Sequence, residues 1–176
     1  MSARTVYTMP EETAAVHGEK PALKQPAGGG QYRTYTWAEV RDRVQWTAVG
    51  LSTIGVEIGD MVALQSETRA EFYFAVLGVM AAGAVAAALY TSLPYAEQAH
   101  ALRFCEARVV MVENRKAMQG LQTALCALSD APTESAAELH WILLTGSAAG
   151  AITLDQLIEN GQRQLAADPE ASERLR

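Results

Sequence analysis

The chain contains 176 residues, of which 49% are hydrophobic and 19% are charged. These proportions are typical of a globular domain and exclude intrinsic disorder, a collagen-like repeat and a disulfide-rich scaffold. Lys and Arg together number 14 and Asp and Glu number 20, which gives a net charge of −6. An acidic balance without basic runs excludes the surface of a nucleic-acid-binding protein. The length suits one domain or a piece of a larger one.

The cysteines and the N-terminus bear on the cellular compartment. Cys105 and Cys126 fit no CxxC or metal-ligand spacing. Two such thiols indicate a reducing cytoplasm and a role as small buried hydrophobes. Residues 1–10 contain one Arg and no apolar core, so they predict no signal peptide.

The first predicted element along the chain is a β-hairpin. Strand-like segments Ala22–Gln25 and Tyr32–Thr36 flank a stretch rich in Pro and Gly, which predicts two short strands joined by a turn. The glycines Gly28–Gly30 are not followed by the Lys-Ser/Thr pair of a nucleotide-binding loop. A turn is therefore favoured over a phosphate site.

Two capping-box patterns then predict helices. Thr36–Glu39 has the Thr-x-x-Glu spacing in which each side chain accepts a hydrogen bond from the other residue's backbone N–H. The apolar pattern after it predicts a helix to Ile54, with Gly55 as a left-handed C-terminal cap. Thr68–Glu71 has the same spacing and predicts a second helix to about Ala82.

Apolar runs around the second helix predict buried strands. Met61–Leu64 precedes that helix, and Ala84–Leu89 follows it after Gly83. The uncharged stretch Phe72–Leu89 has 18 residues, the length at which a membrane span must be considered. Seven of these residues are Ala and two are Gly, so a core helix followed by a buried strand is favoured.

The second half of the chain continues the alternation of strand and helix. In one predicted helix, Ala99, Leu102, Arg103 and Phe104 lie near one face. The elements predicted there are a helix from Ser92–Pro94 to about Ala107, a strand over Arg108–Val112, an amphipathic helix over Arg115–Ser129, a loop over Asp130–Ser135, a strand over Trp141–Leu144, a helix capped by Thr153 and ending near Gln162, and a solvated linker from Asp168. This order predicts the α/β class, with a mostly parallel sheet flanked by helices.

Three polar features are candidates for chemistry, and each has a structural explanation. Glu67, Arg69 and Glu71 cluster at a predicted helix start, where capping and the helix dipole account for them. The segment Thr145–Gly150 has small residues suited to phosphate but no Lys nearby in the sequence, so it is predicted as a strand-to-helix loop. The histidines lack spaced metal-ligand partners and are predicted at the surface or at a strand edge: His17, His100 and His140.

Several segments resemble, in collinear order, the N-terminal part of AMP-forming acyl-CoA synthetases, with long-chain fatty-acid–CoA ligases the most similar. The similarity extends from Ala22 to Gly161. One departure lies at Ala86–Tyr90, where the family often carries a Pro. The segments that carry the resemblance are Tyr35–Val40, Gly55–Leu64, Ser66–Phe72, Ala81–Val85, Pro94–Gln98, Glu106–Glu113 and Thr153–Leu157.

The resemblance implies a partial N-terminal subdomain of the adenylate-forming fold. It divides the chain into an N-terminal extension over 1–21, a partial synthetase domain over 22–167 and a linker over 168–176. The family uses ATP, Mg²⁺ and CoA to convert a fatty acid into an acyl-adenylate and then into a thioester. Its Ser/Thr/Gly-rich loop followed by Lys, its later adenine, ribose and Mg²⁺ motifs and its C-terminal Lys have no counterpart in these residues.

No residue of the sequence is therefore assigned as catalytic, cofactor-binding or metal-binding, and the chain alone is predicted to be inactive. Fatty acid would bind only to a complete enzyme. A second hypothesis is a non-catalytic interaction module, whose partner would be the missing part of the enzyme or a homologue. A third is a small membrane protein anchored through Phe72–Leu89. The expected location is the cytoplasm, with peripheral membrane association left open.

Overall fold

A computed structural model describes residues 8–128 and 139–175 of the chain. Its helices are α1 (Thr8–His17), α2 (Trp37–Thr53), α3 (Ala70–Ala81), α4 (Tyr95–Phe104), α5 (Arg115–Leu128) and α6 (Leu154–Ala167). Its strands are β1 (Pro21–Gly28), β2 (Gln31–Thr36), β3 (Met61–Gln65), β4 (Val85–Ala88), β5 (Val109–Val112), β6 (His140–Leu143) and β7 (Ala151–Thr153). The loop predicted over Asp130–Ser135 lies outside the described residues.

The central sheet has five parallel strands in the order β4–β3–β5–β6–β7, and β1 and β2 form a separate antiparallel hairpin. Helices cover both faces of the sheet, which confirms the predicted α/β class. Side chains of α2, α3 and α6 pack in one core cluster, and side chains of α4 and α5 pack in the other.

Successive strand residues supply the two core clusters in alternation. In β3, Val62 and Leu64 face the α2–α3–α6 side, whereas Ala63 faces the α4–α5 side. The five residues Val109 to Val112 and Ile142 share this alternation, and all of them are at most 3% exposed. A strand covered on both faces favours apolar side chains on both of its sides, which explains the apolar runs in the sequence.

The sequence-predicted helix caps at two positions are confirmed. The Thr36 hydroxyl accepts from the Glu39 backbone N–H at 3.2 Å, and the Glu39 carboxylate accepts from the Thr36 N–H at 2.8 Å. Thr153 and Gln156 form the same reciprocal pair at 3.1 and 2.9 Å. Gly55 follows α2 with a φ of +84°, as expected of a left-handed helix terminus.

The cap predicted for α3 at Thr68–Glu71 is wrong. The helix begins at Ala70, so its N-cap residue is Arg69, which makes no side-chain capping bond. The Ala70 N–H instead donates to Oε1 of Gln25, a residue of β1, at 2.9 Å. A contact between residues 45 positions apart replaces the local one, and no helical spacing could have revealed it.

The region predicted as a buried strand over Ala84–Leu89 is an edge strand. Among the strands of the described residues, β4 pairs with β3 alone, and both Val85 and Ala88 are exposed. The next helix, α4, ends at Phe104 rather than near Ala107, and Phe104 is 92% exposed instead of lying on the apolar face. The chain order alone did not reveal which strand would occupy the edge of the sheet.

The C-terminal third holds three further differences. α6 continues to Ala167, beyond the predicted end at Gln162. The short strand β7 was not predicted, so Thr145–Gly150 links two parallel strands rather than a strand and a helix. Residues 169–175 form a 3₁₀-helix that packs against α6 and α2, with Ala171 and Ser172 buried, in place of the predicted solvated linker.

An ion pair joins Asp168, the residue before this 3₁₀-helix, to Arg174 near its end. Arg174 donates to the Asp168 carboxylate, and this hydrogen bond lowers the pKa of Asp168 and raises the pKa of Arg174. Such local pairs leave no helical period in the sequence, so the compact C-terminal turn could not be inferred from periodicity.

The hairpin is attached to the rest of the fold through Tyr35. Its ring is 2% exposed and packs edge-to-face on Phe74 of α3 at a centroid distance of 5.1 Å. The guanidinium groups of Arg33 and Arg43 lie 4.6 and 5.5 Å from the same ring. Burial raises the pKa of Tyr35 above its ordinary value.

Helices α2 and α6 approach each other at two glycines. A Cβ atom on Gly161 would lie 1.9 Å from the carbonyl oxygen of Trp46, and one on Gly50 would lie 2.3 Å from the carbonyl oxygen of Leu157. Both obstacles are backbone atoms, which cannot rotate away as a flexible side chain can. The absence of a side chain at these positions therefore sets the distance between the two helices.

We expect Gly161→Ala to lower the free energy of unfolding by about 3 kcal/mol, because the added methyl group forces α6 away from α2. Urea denaturation measures the change. Gln162→Ala, at the adjacent exposed position of the same helix, should change stability by less than about 0.5 kcal/mol. Equal effects of the two substitutions would contradict the close approach of the helices.

We expect Gln25→Ala to destabilise the chain by about 1 kcal/mol, because the Ala70 N–H loses its acceptor at the start of α3. Gln31→Ala, at an exposed position of the same hairpin, serves as the control. Thermal denaturation followed by circular dichroism compares the two variants. A Gln25→Ala variant as stable as this control would argue against the long-range cap.

Candidate functional site

The carboxyl ends of the parallel strands carry the densest group of polar side chains. In open α/β sheets, ligands bind at this edge because the strand ends and the loops after them converge there. The residues that follow β3, β4, β5 and β6 and join in this group are Ser66, Glu67, Thr91, Glu113 and Thr145. We refer to these five residues, with Arg69 and Glu71, as the carboxyl-edge cluster.

Glu113 lies at the centre of the carboxyl-edge cluster. Its Oε2 atom accepts from the backbone N–H of Glu67 at 2.9 Å and from the Ser66 hydroxyl at 3.4 Å. Its Oε1 atom lies 3.7 Å from a guanidinium nitrogen of Arg69. The loop after β5 is thereby bonded to the loop after β3.

Arg69 connects two carboxylates at the start of α3. Its Nε donates to Oε2 of Glu71 at 2.8 Å, and the side chains of Arg69, Glu71 and Glu113 are 22–23% exposed. The Thr91 hydroxyl donates to the carboxylate of Glu67, which brings in the loop after β4. Glu67, Arg69 and Glu71 therefore belong to a network of ion pairs and hydrogen bonds that joins the loops after β3, β4 and β5. The side-chain cap of α3 predicted at this position is not formed.

Thr145 extends the cluster to β6. Its backbone N–H and its hydroxyl both donate to the carbonyl oxygen of Glu113, at 2.9 and 2.7 Å. Further along the same loop, Ala148 packs against the α4–α5 core cluster. The Thr145 hydroxyl, which follows β6, thus donates its hydrogen to the protein and not to a ligand.

The charge of the carboxyl-edge cluster is negative. Three carboxylates, those of Glu67, Glu71 and Glu113, face one guanidinium, that of Arg69. An excess of negative charge repels a phosphate group, and the donors of the cluster already bond to carboxylate or carbonyl oxygens of the protein. Nothing in residues 8–128 and 139–175 groups three or more His, Cys, Asp or Glu side chains for a metal ion.

The remaining candidates from the sequence lie apart from this cluster. His17, His100 and His140 are all exposed, at the end of α1, on α4 and at the start of β6. Cys105 is half-buried and Cys126 is exposed, so neither is a fully buried hydrophobe as predicted. Both thiols are free.

The glycine triplet forms the tip of the β1–β2 hairpin. Gly29 and Gly30 make the two-residue connection with φ values of +58° and +75°, a conformation that favours glycine. Gly28 precedes them with a φ of +87°. The predicted turn is confirmed.

A cleft of about 370 Å³ opens at the opposite, amino-terminal edge of the sheet. Most of the residues around it are apolar. The residues around it are Ile54, Leu139, His140, Trp141, Gly150, Ala151 and Ile152. Among these lining residues His140 is the one titratable side chain, which provides no acid–base pair.

The sequence named four members of the carboxyl-edge cluster, Thr145 among them, and missed three. Ser66, Thr91 and Glu113 are separated by up to 47 positions, and no sequence spacing connects them. The available signal was their position, since each follows the end of an apolar strand run and parallel strands end at a common edge.

Replacing Glu113 tests the role of its carboxylate. We expect Glu113→Ala to destabilise the chain by about 1–2 kcal/mol, because the Glu67 N–H loses its acceptor and Arg69 loses one of its two carboxylate partners. Glu159→Ala, on the exposed face of α6, is the matched control and should be near neutral. Chemical denaturation compares the two variants, and equal stability would contradict the role of Glu113 as the central acceptor.

Within residues 8–128 and 139–175, every helix is too short or too polar to span a lipid bilayer. The stretch Phe72–Leu89 is divided between α3 and β4. The alternative of a membrane anchor at this position is therefore not supported by a helix of the required length.

The sequence is similar to several CoA ligases. It is 31% identical over 121 residues to the long-chain-fatty-acid–CoA ligase heimdall of Drosophila melanogaster, covering 65% of this chain and 18% of that protein. It is 27% identical over 104 residues to the crotonobetaine/carnitine–CoA ligase of Proteus mirabilis, covering 59% of this chain and 20% of that one. The chain thus matches about a fifth of the length of these relatives.

The fold matches that of adenylate-forming enzymes. The crystal structure of the anthranilate CoA ligase AuaEII with anthranoyl-AMP superposes with a TM-score of 0.75 at 23% identity, covering 89% of this chain and 28% of that one. This likeness shows the fold and confirms that the chain corresponds to part of the adenylate-forming architecture. A family model described as AMP-binding enzyme matches residues 10–171, and the chain therefore belongs to the AMP-binding enzyme family.

Proposed function

We propose that this chain is the N-terminal scaffold of an AMP-forming fatty-acid–CoA ligase and does not activate fatty acids without further polypeptide. The complete reaction would join a fatty acid to ATP, releasing pyrophosphate, and then transfer the acyl group from AMP to CoA. The observation that supports this most directly is the family match over residues 10–171, together with relatives about three to four times as long.

The fatty-acid substrate class rests on the similarity to a long-chain ligase at 31% identity. The similarity to a crotonobetaine/carnitine ligase at 27% identity points to a different acyl group. Both relatives are CoA ligases by name, so transfer of an acyl group to CoA is the shared part of the proposal. Thioester formation is therefore a firmer element of the proposal than the length of the acyl chain.

The carboxyl-edge cluster does not fit ATP or Mg²⁺ as their binding site. Its excess of carboxylates repels the triphosphate of ATP. Each carboxylate that could bind Mg²⁺ already accepts a hydrogen bond from another group of the protein. The sequence has no Ser/Thr/Gly-rich loop followed by Lys to hold the phosphates. We infer that ATP, Mg²⁺ and CoA would be bound by other parts of a complete ligase, with residues 22–167 as part of its N-terminal domain.

A second candidate function is that of an interaction module for the remainder of the enzyme or for a homologue. β4 is an edge strand without charged residues. Val85, its first residue, is 46% exposed, and Tyr90, two residues after its end, is 77% exposed. An uncharged edge with exposed apolar neighbours favours association with another chain. In either role, the two free thiols favour a reducing compartment such as the cytoplasm.

Fatty-acid-dependent exchange between ATP and pyrophosphate tests the proposal. We expect the purified chain to catalyse no exchange above a blank without fatty acid, because its sequence has no Ser/Thr/Gly-rich loop followed by Lys to stabilise the charge that develops on the phosphates. The Escherichia coli crotonobetaine/carnitine–CoA ligase, assayed with its own named substrate, is the positive control. Exchange by the purified chain that depends on added fatty acid would falsify the proposal.

The coding sequence directly after Arg176 provides an independent test. The Ser/Thr/Gly-rich loop followed by Lys in that sequence would support a divided or longer ligase, and mixing both products should then restore exchange. Its absence there would favour the interaction module.

A further inference from the structure

Two buried amide oxygens belong to Gln65, the last residue of β3, and Gln98, in the first turn of α4. Gln65 and Gln98 are 5% and 1% exposed, and the Oε1 atom of each accepts no hydrogen bond from the described part of the chain. The Nε2 atom of Gln98 donates to the Leu93 carbonyl at 2.7 Å, which fixes the orientation of this amide. Buried carbonyl oxygens in native proteins nearly always have a donor, so these two need an explanation.

Strand alternation places Gln65 on the α4–α5 side of the sheet. Val62 and Leu64 belong to the opposite core cluster, and Ala63 belongs to the α4–α5 cluster. Gln65, two residues after Ala63, points to the same side. It is the last residue of β3 and pairs in register with Val112, the last residue of β5, so it lies at the carboxyl edge.

Helical periodicity places Gln98 at the same end of this layer. Gln98 and Leu102 are one helical turn apart on α4, and both are almost completely buried. Gln98 lies in the first turn of α4, which follows the carboxyl end of β4, the strand beside β3. Two neutral acceptors thus lie in one buried layer at one edge of the sheet.

We propose that a single internal water molecule is bound between Gln65 and Gln98 and donates one hydrogen bond to each Oε1 atom. Water suits the pair because both acceptors are neutral, and an internal water needs two to four polar partners. A metal ion would require more oxygen ligands or charge than two amide oxygens supply. This proposal does not depend on the proposed function.

The bound water would hold the β4–α4 connection from a second side. Thr91 in that connection already bonds to Glu67 after β3. Through the water, the first turn of α4 would also be joined to the end of β3. The carboxyl edge would then be fixed both at its surface and in the layer beneath.

Water contacts measured by NMR on the unmodified chain test the proposal directly. In a rotating-frame experiment, cross-peaks that arise from dipolar contact differ in sign from those that arise from chemical exchange. We expect cross-peaks between water and the side-chain amide of Gln98, with the sign of dipolar contact. Amide cross-peaks of exchange sign alone, or direct pairing of the two glutamine amides, would overturn the proposal. This measurement needs no variant and therefore does not depend on the folding of one.

The substitution Gln65→Met separates a bound water from an oxygen without a partner. If the water is present, Met removes one of its acceptors, and we expect Tm to fall by about 2–6 °C and the Gln98 water contact to disappear. If the oxygen has no partner, an apolar residue of similar size should raise Tm, which would contradict the proposal. Gln119→Met, at an exposed position of α5, is the matched control and should leave both readouts unchanged.

Discussion

The need to cover both faces of the parallel sheet determines most of this structure. β3, β5 and β6 lie inside the sheet, so nearly all of their side chains are covered by a helix on one side or the other. Parallel strands also require crossover connections, which supply the helices that cover them. The apolar strand runs, the alternation of strand and helix and the amphipathic α5 all follow from this requirement. They were also the features that the sequence revealed most clearly.

Covering the α2–α3–α6 face requires the helices to fit side by side over a narrow sheet. The glycines of α2 and α6 permit this, because Gly50 and Gly161 bring backbone against backbone. Gly78 of α3 likewise allows a close approach to α2, because a Cβ atom at this position would lie 2.5 Å from the Thr47 side chain. In the sequence these glycines lower the predicted helix propensity, whereas in the structure they allow the helices to pack.

Local signals were predictable from the sequence and contacts between distant residues were not. The capping boxes at Thr36 and Thr153 involve residues three positions apart, and both were predicted correctly. The cap of α3 by Gln25 joins two elements that only the folded chain brings together. The edge position of β4 has the same origin, because strand order within a sheet is a tertiary property.

The carboxyl-edge cluster illustrates the same division for the site. Glu67, Arg69 and Glu71 were visible as local charge, but their central partner Glu113 is 42 positions or more away. Its carboxylate and carbonyl oxygens connect the loops after β3, β5 and β6, so this one residue fixes three strand ends together. In open α/β sheets ligands bind at this edge, and groups that act on a ligand must be held in fixed positions. The hydrogen bonds of Glu113 hold three strand ends in fixed relative positions, which is what the proposed N-terminal scaffold requires.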